Sequence, residues 1–374
     1  MKSKQEFYKI ALVSAAMILM LGNIVGAAPF AYVPNFQDNT TTIFDTATNT
    51  VTSTVPVGHS PFGVAVSCTD AYVTNSGDNT ITVIDTATQV PIAIVPVGTT
   101  PAGVAVTLDG TKVYVVNVLD NTISVIKTET NAVVATVPVG NLPLGIAVTP
   151  DGKTAYVTNE IDNTTSVINT ETNMVVATVP VGIDPQGVVV SPDGTNVYVA
   201  NLGTGNGDGS ISVIATANNT VTATVNLPSG YFGDFVGIAI TPDGKNIYVT
   251  DVLHWVVYVM DTATNSFTNL VSLTTEPYGI SVAPDGTEVY VGTDSGSVVT
   301  IIKTATNTAE GAVYVGNQPA SFGQFIQPAG CCPTSKHHKP CEIKLITDPT
   351  TQSVDLLKFP VGDDCMTFPF GNKH

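Results

Sequence analysis

Arginine is missing from this chain. Its 13 strongly basic residues are all lysines, set against 30 aspartates and glutamates, for a formal net charge of −17. Nucleic acids and anionic membranes are gripped by guanidinium forks and basic surface, so neither is an expected partner. Charge of both signs is scarce, at 11% of residues. An acidic, lysine-poor surface suits high salt, although solubility alone accounts for it. Long apolar runs are lacking as well: past residue 27 nothing approaches the roughly 18 apolar residues of a membrane span. Common enzyme signatures do not occur, for there is no Gly-x-Ser-x-Gly, no His-Glu-x-x-His and no phosphate-binding loop. Tryptophan occurs once, at Trp255, and before residue 329 the only histidines are His59 and His254.

What the chain has is repetition. Residues 143–182 contain four short runs rich in Val, Ile, Tyr and Thr, separated by Pro-Asp-Gly, Asp-Asn-Thr and Thr-Glu-Thr-Asn. Runs of that length between turn formers read as strands, so one unit is a four-stranded antiparallel meander. A tyrosine followed by valine marks each copy, at Tyr32, Tyr72, Tyr114, Tyr156, Tyr198, Tyr248 and Tyr290, in steps of 40, 42, 42, 42, 50 and 42 residues. Such a period with four strands per copy predicts an all-β fold, a seven-bladed β-propeller. The runs are nearly continuous in apolar residues and do not alternate, as befits sheets buried on both faces by neighbouring blades.

The quartet Tyr-Val-Thr-Asn at 72–75 and 156–159, with variants at 32–35, 114–117 and 198–201, resembles the YVTN repeat. The preceding Pro-x-Gly-Val/Ile-x-Val-x-Pro-Asp-Gly segment is similar to it too. That family forms propellers in archaeal surface-layer proteins and in many secreted bacterial and archaeal proteins. The resemblance covers roughly residues 30–328 and implies the propeller fold; it says little about function, since propellers host binding modules and unrelated enzymes alike. In the last two copies Asp251 and Thr293 replace the Asn.

The domain reading is a leader over 1–27, the propeller over 28–328 and a tail over 329–374. Lys2, Lys4 and Lys9, an apolar stretch over 10–21 and Val25-Gly26-Ala27 have the form of an export signal. Its retention as an anchor is the alternative. Export would place the protein outside the cell or on its surface. It would also give the sequons at Asn39, Asn163 and Asn218 a setting for glycosylation, although two of them are the repeat's own turn. The first copy lacks the Pro-x-Gly strand of the others, and a matching segment follows the seventh copy at 319–326. Residues 322–327 are therefore expected to form the innermost strand of the first blade and to close the ring, abolishing its open edge.

The tail contains Cys331, Cys332, Cys341 and Cys365, which most simply form two disulfides in an exported segment. A zinc site with His337 and His338 is the rival, at a spacing unlike the usual two-pair patterns. Part of the tail echoes the last two strands of a repeat, as an appended hairpin or a decayed eighth blade. Cys68 reads as a lone thiol or a partner of the tail.

Candidate site residues come from where the repeat fails. Recurrent Asp, Asn and Gly belong to turns. Lettering the strands A to D outward places the B–C turns and D–A connections on one face. The 50-residue step adds residues there twice, in the B–C turn over 202–209 and the D–A connection over 227–235. In the next blade Asp-Asn-Thr becomes His254-Trp255-Val256. The Gly-rich loop at 203–209 faintly resembles a calcium-binding nonapeptide, but those work in tandem arrays. Phe62, Ala102, Leu144, Gln186, Val236, Tyr278 and Phe322 should rim the channel mouth on that face, near Tyr231, Phe232 and Phe235. Aromatics without basic neighbours suggest contact with a glycan or another protein; the plainer role is to plug the channel. A ligand site of Tyr231, Phe232, Phe235, His254, Trp255, Tyr278 and Phe62 is the preferred reading, with no cofactor, in an extracellular binding, adhesive or surface-layer module. Asp184, Asp234 and Glu276 are weak candidates for a divalent cation, resembling the lactonases and lyases built on seven-bladed propellers. An apolar rim speaks against that alternative.

Overall fold

The computed structural model describes residues 29–328 and three short strands of the tail. In the fourth unit Pro143–Val148, Thr154–Asn159, Thr164–Asn169 and Met174–Pro180 pair antiparallel in that order. The turns need special backbone, and the residues supply it: Gly152 takes φ +71°, while Asn163 and Asn173 take +55° and +54°. Asparagine and glycine adopt this left-handed region at less cost than branched residues do. Along Thr154–Asn159 successive residues from Ala155 on are buried, so both faces of the sheet are covered, as the unbroken apolar pattern implied. The outermost strand is mostly exposed.

Six sheets of this kind follow one another, and a three-stranded sheet of Phe30–Asn35, Thr40–Asp45 and Thr50–Pro56 makes the seventh. Its missing strand comes from the far end of the ring. Tyr32 N donates to Phe325 O at 2.8 Å, Gln327 N donates to Phe30 O at 2.9 Å, and Ala31 bridges Ile326 antiparallel. The closing segment is shorter than the sequence suggests. Gly323, at φ +108°, turns the chain, so that Phe322 bridges Gly63 of the second blade while only 325–327 pair with the first. No helix among the described residues is long and apolar enough to cross a membrane.

The letters of the repeat have separate structural jobs. Tyrosine reaches the outer turn of the next blade: Tyr156 Oη donates to Asn219 Oδ1 and Tyr248 Oη to Asn307 Oδ1, each at 2.7 Å. Threonine reaches the inner strand of the next blade, as Thr158 Oγ1 does to Gln186 O at 2.7 Å. The final asparagine stays in its own blade. Asn159 accepts from Gly140 N and donates to Thr164 and Ser166, pinning the incoming connection to the sheet. Glycine of the inner strand permits close packing at the axis, where a Cβ on Gly145 would lie 2.3 Å from Gln186 O.

The leader, Cys331, Cys332 and Cys341, and His337 and His338 lie outside the described residues. In the tail Ile346–Thr347, Val354–Val361 and Asp364–Pro369 pair antiparallel; Cys365 falls within the last of these. Cys68 is disulfide-bonded, which settles against a lone thiol.

Candidate functional site: the loop cluster over blades five and six

In an ordinary blade the Asp-Asn-Thr turn is a fastener. Asp162 Oδ2 accepts from Asn141 N at 2.8 Å, holding the connection into its own blade, and Asn163 Oδ1 accepts from Asp184 N at 2.9 Å, holding the next. Asp78 and Asn79 do the same for His59 and Thr100. The sixth blade gives up both bonds. His254 Nδ1 instead lies 2.9 Å from Asp251 Oδ2. Trp255 occupies the asparagine position at φ +57°, with 45% of its surface exposed. A left-handed L-residue with a bulky side chain is strained by about 1–2 kcal/mol. Here that strain holds the chain's one indole toward solvent.

The two insertions meet beside it. Gly209 N donates to Gly233 O at 2.8 Å, Gly233 N donates to Gly207 O at 3.0 Å, and Asp208 bridges Gly233 in parallel. Gly207 sits at φ +81°, and a Cβ there would lie 2.5 Å from Phe232 Cβ, so glycine is required for the loops to touch. The buried carboxylate of Asp234 accepts from Gly207 N at 2.8 Å, while Asp234 N donates to Asp251 Oδ1 at 3.0 Å. A run of hydrogen bonds thus links the fifth-blade loop, the connection and the His254 turn through Asp234 and Asp251. Asp251, where the repeat has asparagine, makes this possible: a carboxylate accepts from Asp234 N, Leu253 N and the imidazole together. At the crest Tyr231 and Phe232 are each 57% exposed, and Tyr258 Oη holds the connection by donating to Phe232 O.

Other expected site residues lie elsewhere. Phe235 is completely buried and packs against Tyr258 and Phe267, with ring centroids 5.8 and 5.7 Å away; it anchors the connection and is not part of the contact surface. Phe62 and Tyr278 belong to a plug. They join Phe322, Ala102, Leu144 and Val236 in one apolar cluster that fills the channel on this face, Phe62 stacking on Phe322 at 5.7 Å and meeting Tyr278 edge-on at 5.7 Å. The channel opens instead on the opposite face, in a cavity of about 560 Å³ lined by Val66, Leu108, Val148, Gln324 and Pro328. The Gly-rich loop satisfies itself, since Asp208 accepts from Thr204 N and its hydroxyl.

Among the described residues no three His, Cys, Asp or Glu side chains converge as metal ligands, and Asp184, Asp234 and Glu276 have separate surroundings. Asp184 accepts from Gln186 Nε2 at 2.6 Å, and the same amide donates to Glu160 Oε1 at 3.2 Å. Burial, then the Asp184 carboxylate, push Glu160 up to about 7. Burial raises Asp184 and Glu276 as well, Glu276 with help from Asp294. Sequence reasoning passed over Glu160. Its signal was a carboxylate directly after the Tyr-Val-Thr-Asn quartet, where five other copies carry Phe36, Ser76, Val118, Leu202 or Val252 and only the seventh has another acid, Asp294.

Residues 88–206 match the family model of the YNCE-like beta-propellers, consistent with a YVTN-type repeat propeller. No curated protein matches the chain by sequence. Among solved structures, hydrazine synthase from Kuenenia stuttgartiensis is 22% identical with a TM-score of 0.65, over 73% of this chain and 92% of its own. A functionally unknown protein from Desulfotomaculum acetoxidans is 19% identical with a TM-score of 0.70, over 80% and 99%. Dihydro-heme d1 dehydrogenase NirN is 16% identical with a TM-score of 0.59, over 78% and 74%. At these identities the likeness is one of fold.

Proposed function

We propose that this YVTN-type propeller is an extracellular or cell-surface binding module, adhesive or surface-layer in role, whose contact site is Tyr231, Phe232 and Trp255 with His254 at their base. The observation that carries the reading is Trp255. Its turn forgoes two fastening hydrogen bonds and accepts left-handed strain, and the result is an exposed indole on the blade whose incoming connection carries two exposed aromatic rings. Strain of that kind persists where surrounding structure enforces it and is found at contact sites. Rigid aromatic rings with few charges around them favour a sugar face or an apolar protein surface as partner. The acidic, arginine-free composition argues in the same direction, against nucleic acid and anionic lipid.

The test is capture of partners from envelope extract by the wild type, Trp255→Ala and the double variant Tyr231→Ser/Phe232→Ser. All three changed side chains are exposed, so folding is expected to survive. Partners captured by the wild type should be lost from both variants; undiminished capture by both would place the site elsewhere.

A further inference from the structure

The outer wall of the ring carries a second departure from the repeat, away from the loop cluster. In every blade the outermost strand has a bulge that leaves one residue without a partner across the sheet. In the first, fifth, sixth and seventh blades that residue is polar: Thr52, Thr222, Thr268 and Glu310. The three threonines use their position, each hydroxyl donating to a carbonyl of the neighbouring strand, Ile43, Val213 and Val259, at 3.2–3.3 Å. In the second, third and fourth blades the residue is Ile92, Val134 and Val176, exposed by 49, 55 and 60%. Three consecutive blades thus replace a hydrogen-bonding side chain with a branched apolar one facing water.

Their neighbours extend the pattern. Val90, Ile94, Val133 and Met174 on the same strands are exposed, and these outer strands are neighbours around the wall. Seven exposed apolar side chains thus lie on three adjoining outer strands, the kind of grouped apolar surface that marks an interaction site. Val90–Pro96, Ala132–Pro138 and Met174–Pro180 contain no charged residue, as is true of every outer strand but the seventh. In a chain of net charge −17, a neutral belt is where two identical acidic surfaces meet with least repulsion.

We infer that this belt, centred on Ile92, Val134 and Val176, is the interface through which two copies of the chain associate. The bulges twist the free strand edges away from simple strand addition, so the contact is side chain against side chain, the same patch on both copies about a two-fold axis. The belt lies on the wall of the ring, whereas Trp255 lies on the face that carries the B–C turns. Self-association and partner capture are therefore separable.

The experiment is sedimentation velocity of the full chain across the micromolar range, beside the variant Ile92→Thr/Val134→Thr/Val176→Thr. Threonine restores the bulge bond of the other blades, so the variant is expected to fold and to melt no lower than the wild type. The wild type should pass from monomer to dimer with concentration, and the variant should need at least tenfold more protein to do so. A wild type that stays monomeric throughout overturns the inference, also if it then floats with neutral lipid vesicles, which would assign the belt to a membrane surface. A variant that dimerises as readily as the wild type overturns it equally.

Discussion

The hydroxyl of Tyr290, in the seventh blade, donates to Oδ1 of Asn49 in the first, 2.9 Å away and 241 residues distant in sequence. It is the contact Tyr156 makes with Asn219 and Tyr248 with Asn307 between consecutive blades, so the ring closes with the joint used inside it. Tyr290→Phe removes the one hydroxyl that Asn49 Oδ1, Thr46 O and the buried Glu288 carboxylate share. Loss of about 1 kcal/mol, up to ~3 if the amide stays dry, is expected in urea unfolding. Tyr156→Phe should lose about as much, because Tyr156 makes the same bond to Asn219.

Three such joints are unmade: Asn131 Oδ1 and Asn265 Oδ1 accept from neither Tyr72 nor Tyr198, and the buried hydroxyl of Tyr32 has no partner among the described residues. Only at Tyr32 is the asparagine itself missing, since the second blade carries Gln89, at φ +56°, where other blades carry asparagine. Gln89→Asn should supply the acceptor at the right reach and suit the left-handed backbone better. A gain of about 1 kcal/mol in urea unfolding is the expected outcome. No gain would mean that the Tyr–Asn joint contributes little elsewhere.

Glu160 gives stability a pH dependence. Burial and Asp184 raise it from 4.5 to about 7 in the fold. Between those values the folded chain holds a proton that the unfolded chain has released. Stability is therefore full below the lower value, falls as pH rises toward the upper one, and is level above it. From pH 5 to pH 8 the wild-type melting temperature should fall by about 1–2 °C more than that of Glu160→Gln, the figure allowing for solvent screening. Equal falls would remove Glu160 as the cause.

The ring, its seven blades and the origin of the closing strand were legible in the sequence, because a period of 42 residues forces identical units to bury one another's faces. The face on which the odd loops gather was legible too, since strand direction alternates without exception. Side-chain direction was not. Phe235 reads as one more aromatic in residues 227–235, yet it is buried while Tyr231 and Phe232 are exposed, a choice made by Tyr258 and Phe267 in strands read separately. Plugging was one of two roles the sequence offered for Phe62, Tyr278 and Phe322; the choice between them depends on the width of the closed mouth, which no single repeat encodes. Glu160 was hidden because its shift comes from burial in the closed ring and from the Asp184 carboxylate of the next connection, with the Gln186 amide acting the other way.

Trp255 separates function from stability. Trp255→Asn restores the turn residue of the other blades and relieves left-handed strain, so it should stabilise the fold by about 1 kcal/mol and reduce partner capture at least tenfold. A variant that gains stability and keeps its partners would leave the strain without a purpose.

Because Trp255 is the only tryptophan, its fluorescence reports on this face alone. The most direct measurement is a titration of the full chain with a partner captured from envelope extract, following tryptophan emission in the wild type and in Tyr231→Ser/Phe232→Ser. A saturable shift or quench in the wild type that vanishes in the variant is the predicted result. Binding confirmed by sedimentation with emission unchanged would contradict the assignment of the site.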